Sequence, residues 1–256
     1  MAAVLRTELA GGIATITLDS SGNRNALSRQ LRSELTAALE RVSADDATRV
    51  VVLTHTGPVF CAGMDLKETA VEQPGSEGVR ELPRILQLIA HRPKPVVCRV
   101  GGPARAGGIG IMAASDIVVA VPGATFAFSE VRIGLVPAVI SLPVLDRMDG
   151  VAARELFLTG AVFDAERALR TGLVNALASD DSQQALDEAV VTVVADLCKG
   201  GPTALAGTKS LLRQDYDDSD EQFALLLELS ARQFSSGEGR EGARAFAEKR
   251  PAHWIL

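Results

Sequence analysis

Two short stretches place small residues directly after apolar runs: Phe60-Cys61-Ala62-Gly63-Met64-Asp65-Leu66-Lys67 and Ala104-Arg105-Ala106-Gly107-Gly108-Ile109-Gly110. Val50 to Thr54 precedes the first, after a turn at Gly57-Pro58, and Val96 to Val100 precedes the second, after Gly101-Gly102-Pro103. Each apolar run reads as a strand and each small-residue stretch as the start of a helix. Helix starts carry backbone N–H groups without intrahelical acceptors, and glycine or alanine lets a ligand oxygen come close to them. Two such donors converging on one point form an oxyanion hole, which stabilises charge developing on a carbonyl oxygen. The same residues also suit plain strand-to-helix turns, and on residue type alone both readings stand.

Other chemistries lack their residues. His55, His91 and His253 are scattered and flank no carboxylate or thiol at metal-ligand spacing, so no metal site is expected. There is no Gly-x-Ser-x-Gly elbow and no Walker loop, and Gly107-Gly108-Ile109-Gly110 falls short of the dinucleotide fingerprint. Asp215, Asp217, Asp218 and Asp220 make an acidic loop without the glycine and distal glutamate of a calcium loop. Cys61, Cys98 and Cys198 lie in apolar or motif contexts and read as reduced thiols, Cys61 as a small buried filler rather than a nucleophile.

The elements that must position these stretches follow from periodicity. Val4 to Leu9 and Ala14 to Leu18 read as a hairpin about Gly11-Gly12, and a helix runs from Ser28 to Ala44 with Leu31, Leu35, Leu39 and Val42 on one face. Glu81 to His91 has helical spacing and stops before Arg92-Pro93, and Ile117 to Val121 and Thr125 to Phe128 are short strands. Strand and helix alternate to about residue 195. Beyond it Leu186 to Leu197, Pro202 to Leu212, Glu221 to Phe234 and Glu241 to Glu248 read as helices, with a capping box at Ser219 and Gln222 before the third. The expected division is a core over 1–195 and a helical C-terminal region over 196–256, which on patterning alone reads either as an oligomer contact or as packing back on its own core. The polar segment from Thr69 to Gly78 is expected to be mobile, and Thr69 to Arg84 to shape the substrate pocket.

The chain has 256 residues, 47% hydrophobic and 23% charged, enough for a substantial core. Its net charge of -6 argues against a nucleic-acid binder. No apolar stretch of about 18 residues and no basic-then-apolar leader at Met1 to Arg6 is present, so the expectation is a cytoplasmic protein without a membrane span.

In order and spacing the two stretches resemble the enoyl-CoA hydratase/isomerase family, the crotonase superfamily. The likeness extends to Asn25-Ala26-Leu27, Ala114-Ser115-Asp116-Ile117, Ser129-Glu130-Val131-Arg132-Ile133-Gly134-Leu135-Val136-Pro137, Leu158-Thr159-Gly160 and the C-terminal Phe246-Ala247-Glu248-Lys249-Arg250-Pro251, and so to essentially the whole chain. It implies an α/β spiral of ββα units with a helical C-terminal trimerisation region, a homotrimer or dimer of trimers, and an acyl-CoA thioester as substrate. Coenzyme A enters as part of that substrate, with no prosthetic group. The positions matching the family's oxyanion donors are Met64 and Gly107, through backbone N–H. Those matching its CoA contacts are Arg24, Ala26, Ala62, Asp65, Leu66, Phe246 and Lys249, the last pair at i, i+3 on one helix face and, in the family, able to come from a neighbouring subunit.

One departure bears on the reaction. Hydratases of this family hold a water between two glutamates; here the first position is Gly110 and the second is Glu130. Glycine transfers no proton, so the two-carboxylate addition cannot run unchanged. Glu130 could add water alone, with Gly110 leaving room for an additional water. It could instead shuttle one proton between the α and γ carbons, isomerising a 3-enoyl to a 2-enoyl thioester. An acid could also come from Glu68, Glu81 or Asp146, or the chain could be a catalytically silent CoA-binding member. The family's dienoyl isomerases and hydroxyacyl hydrolases carry a further acid eight residues after the retained glutamate, where this chain has Ala138, which disfavours both. Glu130 itself reads either as a salt-bridged surface carboxylate paired with Arg132 or, given Phe126, Phe128 and Val131, as a partly buried group of raised pKa. Hydration is the leading expectation.

Overall fold

Gly11 and Gly12 both adopt positive φ (55° and 77°), the turn that matches the twist of a two-residue hairpin, and they join β1 (Leu5–Ala10) to β2 (Ile13–Leu18). This is a computed structural model, and it describes residues 3–69, 77–213, 227, 232 and 236–255. Alternate residues of β2 are buried, whereas β3 (Val50–His55) is buried at every residue, as a parallel strand covered on both faces must be. The main sheet continues through β4 (Val96–Val100), β6 (Ile117–Ala120) and β9 (Ala176–Leu177), in the order β1-β2-β3-β4-β6-β9 with every pair after the first parallel. A second sheet joins β5 (Ala104–Arg105), β7 (Thr125–Ala127) and β8 (Phe163–Asp164).

Helices provide the crossovers. Between β2 and β3 runs α1 (Arg29–Ala44), whose N-cap Ser28 accepts the Leu31 N–H at 3.3 Å and whose Leu31, Leu35, Leu39 and Val42 are buried, as their spacing predicts. Between β3 and β4 come α2 (Leu66–Thr69) and α3 (Glu77–His91), and between β5 and β6 the wholly buried α4 (Gly107–Ala114). Three helices then cover the core: α5 (Ala138–Arg147), α6 (Gly150–Thr159) and α7 (Ala165–Arg170). None of the three is evident from periodicity.

A boundary at residue 195 would cut α8 (Gln183–Lys199), whose Leu186, Val190, Val194 and Cys198 are buried along its whole length. The chain turns instead at Gly200-Gly201, where α8 and α9 (Pro202–Leu211) diverge by 106°. No single described helix is long and apolar enough to cross a membrane. The last described helix is α10 (Gly237–Glu248). The capping box at Ser219 and Gln222, the acidic loop, most of the helix expected over Glu221 to Phe234, and residues 70–76 of the segment expected to be mobile lie outside the described residues.

Candidate active site

Backbone hydrogen bonds lace three loops together at the ends of β3 and β4. Phe60 N–H donates to Pro103 O (3.0 Å), Arg105 N–H to Cys61 O (3.0 Å), Ala62 N–H to Arg24 O (3.1 Å) and Leu27 N–H to Gly63 O (2.8 Å). The glycine at 63 is required twice over. Its φ is +87°, and a Cβ there would lie 2.9 Å from Ala106 Cβ and 3.2 Å from Arg105 O. That contact is what brings Met64 beside Gly107. Gly107 opens α4, so its N–H has no acceptor within the helix, and Met64 N–H donates to no backbone acceptor among the described residues. Cys61 fills space against Gly108, and complete burial pushes its thiol up to about 12, so it is no thiolate at neutral pH.

Met64 and Gly107 share a cavity of about 320 Å³ with Glu130. The glutamate lies in a 3-10 turn, Ser129–Ile133, held at both sides. Before it, Phe128 is fully buried against Phe157 at a ring separation of 4.1 Å; after it, Arg132 Nε donates to Thr159 O at 3.2 Å. Arg132 therefore points away, and the Glu130–Arg132 pair does not form. Glu130 Oε2 is buried with no hydrogen-bond partner. Burial raises the carboxyl's pKa above its ordinary 4.5, because the apolar surroundings disfavour the charged form. Those surroundings differ from the expected ones: Phe126 and Phe128 pack into the core, and the apolar wall comes from Ile133, Leu135, Val136, Val139 and Ile140, with Leu66 and Leu82.

Gly110 leaves no room for an additional water. A Cβ there would sit 2.5 Å from Ile140 Cγ2, 3.1 Å from Ile140 Cβ and 3.6 Å from Leu86 Cδ2. The position of the first carboxylate is thus filled by hydrocarbon from α5 and α3. Ala138, eight residues after Glu130, does line the cavity, so that position adds no acid. The alternative acids are engaged elsewhere or lie outside: Glu68 Oε2 accepts the Arg29 N–H at 2.7 Å, Glu81 pairs with Arg32 at 2.6 Å, and Asp146 is exposed on α5. None of them lines the cavity.

The loop 24–27 and the stretch 61–66 run side by side, which brings Arg24, Ala26, Ala62, Asp65 and Leu66 into one region. Asn23 Nδ2 donates to Asp65 Oδ2 at 3.3 Å, Arg24 is exposed in the left-handed conformation (φ 58°), and Leu66 is half-exposed. Phe246 lies in α10 and Lys249 follows the helix at φ 53°. Their segment docks where β3 begins, since Arg49 donates to Trp254 O (2.7 Å) and Gly200 O (2.8 Å), whereas the cavity lies where β3 ends. Sequence reasoning missed the whole 133–140 wall, Ile140 above all; only the unexplained apolar content of Ile133 to Leu145 hinted at it.

The chain matches the enoyl-CoA hydratase/isomerase family over residues 8–255. It is 34% identical over 249 residues to an enoyl-CoA hydratase of Mycobacterium tuberculosis, covering 95% of this chain and 93% of that protein. A solved enoyl-CoA hydratase from Mycobacterium avium is 41% identical with a TM-score of 0.74, the match covering 99% of this chain and 100% of that one. The Mycobacterium smegmatis enoyl-CoA hydratase superimposes with a TM-score of 0.92 at 30% identity, over 99% of each chain. Fold, loop geometry and these likenesses agree, and the chain belongs to the enoyl-CoA hydratase/isomerase family.

Proposed function

We propose that this protein is an enoyl-CoA hydratase that works with a single carboxylate. The observation that carries the reading is Glu130, buried and unpartnered at one oxygen, lining the same cavity as Met64 and Gly107. A 2-enoyl thioester placed with its carbonyl oxygen on those two donors would have its C2 and C3 atoms toward the glutamate. Glu130 takes a proton from water as the water oxygen bonds to C3, the π electrons move onto the thioester oxygen, and the same proton then passes from Glu130 to C2. Each oxyanion donor contributes about 2.7 to 4 kcal/mol to the barrier reduction. A raised pKa suits a group that must both take and return a proton.

Arg24 and the backbone at Ala26, Ala62, Asp65 and Leu66 form the CoA side of the site in this reading. Phe246 and Lys249 would reach CoA from a neighbouring subunit of a homotrimer or dimer of trimers. Leu142 and Leu158, each 80% exposed, and Val151, 73% exposed, are aliphatic surface that such an assembly would cover. Three thiols without a disulfide fit a reducing compartment such as the cytoplasm.

A second reading is favoured by Ile140, which fills the place of the first carboxylate, at Gly110. Isomerisation of a 3-enoyl to a 2-enoyl thioester needs one base and no bound water. Crotonyl-CoA and 3-hexenoyl-CoA assayed separately distinguish the two: turnover of the first supports hydration, turnover of the second alone supports isomerisation, and turnover of neither despite CoA binding overturns both.

A further inference from the structure

Arg32 is a charged side chain in the wrong place for stability alone. It lies in the first turn of α1, where the helix dipole is positive, yet its side chain is only 2% exposed. Its Nη2 is buried without a partner, an unfavourable state for a guanidinium donor. The other two nitrogens are committed. Nη1 donates to Leu27 O at 2.6 Å, and Nε donates to Glu81 Oε2 at 2.6 Å, Glu81 itself being about a third exposed on α3.

Leu27 is the residue that touches both oxyanion segments. Its N–H donates to Gly63 O at 2.8 Å, and it bridges in parallel with Met64. Its side chain packs on the other donor: a Cβ built on Gly107 would fall 2.9 Å from Leu27 Cδ1. A shift of Leu27 therefore moves both N–H groups. Its own carbonyl is fixed by Arg32, and Arg32 is fixed by a carboxylate from α3, the helix that also supplies Leu82 to the cavity wall.

We infer that the Arg32–Glu81 pair is a positioning device for the oxyanion hole, acting through Leu27 to set the separation of the Met64 and Gly107 N–H groups. The inference rests on the oxyanion reading of those two donors. Neither residue touches the substrate or transfers a proton. Its predicted signature is selective loss of transition-state stabilisation, with binding of the CoA portion left alone. A displacement of order 1 Å at a catalytic constellation costs about 10²-fold in rate, so partial release of Leu27 should cost about 10- to 100-fold.

The test uses Glu81→Ala, Arg32→Met and the conservative Arg32→Lys, each checked for wild-type thermal unfolding. One readout is steady-state turnover of crotonyl-CoA. The other is the absorbance red shift of a bound push–pull cinnamoyl-CoA, which reports carbonyl polarisation without turnover. Expected are a 10- to 100-fold fall in kcat with KM within about twofold, a smaller red shift in Glu81→Ala and Arg32→Met, and partial recovery in Arg32→Lys. Unchanged kcat and red shift in a folded Glu81→Ala variant overturn the inference. If the wild-type protein itself leaves the probe unshifted, the oxyanion reading fails first and the positioning role with it. Should Arg32→Met not fold, Glu81→Ala decides, since its carboxylate is on the surface side of the pair.

Discussion

Replacing Gly110 by alanine tests whether Ile140 occupies the place of the first carboxylate. The added methyl would lie 2.5 Å from Ile140 Cγ2, well inside van der Waals contact, and Ile140 is itself 2% exposed and so has little space to retreat. Overpacking of this kind costs about 1–3 kcal/mol. Alanine in a helix interior gains about 0.8–1.0 kcal/mol over glycine. Gly110→Ala should therefore destabilise by a net of up to about 2 kcal/mol. Ile140→Ala alone should cost about 2–5 kcal/mol through the cavity it leaves. In the double variant the new methyl enters that cavity and the overpacking disappears, so the combined loss should fall short of the sum by about 1–3 kcal/mol. Equilibrium denaturation of all four proteins gives the coupling. If Gly110→Ala is stabilising by its full helical gain, and the double variant is additive within about 0.5 kcal/mol, Ile140 does not fill the space and the reasoning is wrong.

Three further outcomes follow from the same geometry. Glu130 has a folded-state pKa raised above 4.5, so its contribution to stability is fully present below that pH and is lost as pH rises through the folded value. Glu130→Gln should accordingly match wild-type stability below about pH 4 and exceed it at pH 7, a divergence that paired denaturation series would reveal. The same shift places the acid limb of kcat/KM above the pH of an ordinary carboxylate: activity should fall as pH drops through the Glu130 pKa, and a limb at or below 4.5 in the pH–rate profile would contradict burial as its cause. Gly63→Ala places a side chain at φ +87° and 2.9 Å from Ala106 Cβ, so it should both lower the melting temperature and reduce kcat about 10²-fold, with KM for thioester changed less.

How much of this could be read in the sequence depends on the distance over which each feature is determined. The two small-residue loops were legible because β3 and β4 are largely apolar runs followed by glycine-bearing turns, a local signal, and the resemblance aligned those turns with a known family. Glu130 was legible only through that resemblance, and its apolar environment was attributed to the wrong neighbours: Phe128 points at Phe157, and the cavity wall is the segment after it. That segment escaped notice because α5 carries Pro143 within it and is apolar on both sides, with Ile140 and Val144 buried while Leu142 and Leu145 are exposed, which erases the helical period. The filling of the Gly110 site by Ile140 joins residues thirty apart, and no spacing rule could anticipate it.

The most direct measurement is the turnover of crotonyl-CoA by the wild-type protein and by Glu130→Gln, with thioester binding determined alongside. A one-carboxylate site predicts hydration by the wild type, a loss of about 10²- to 10⁴-fold in kcat for the variant and little change in binding. Near-wild-type hydration by a folded Glu130→Gln protein would contradict the account.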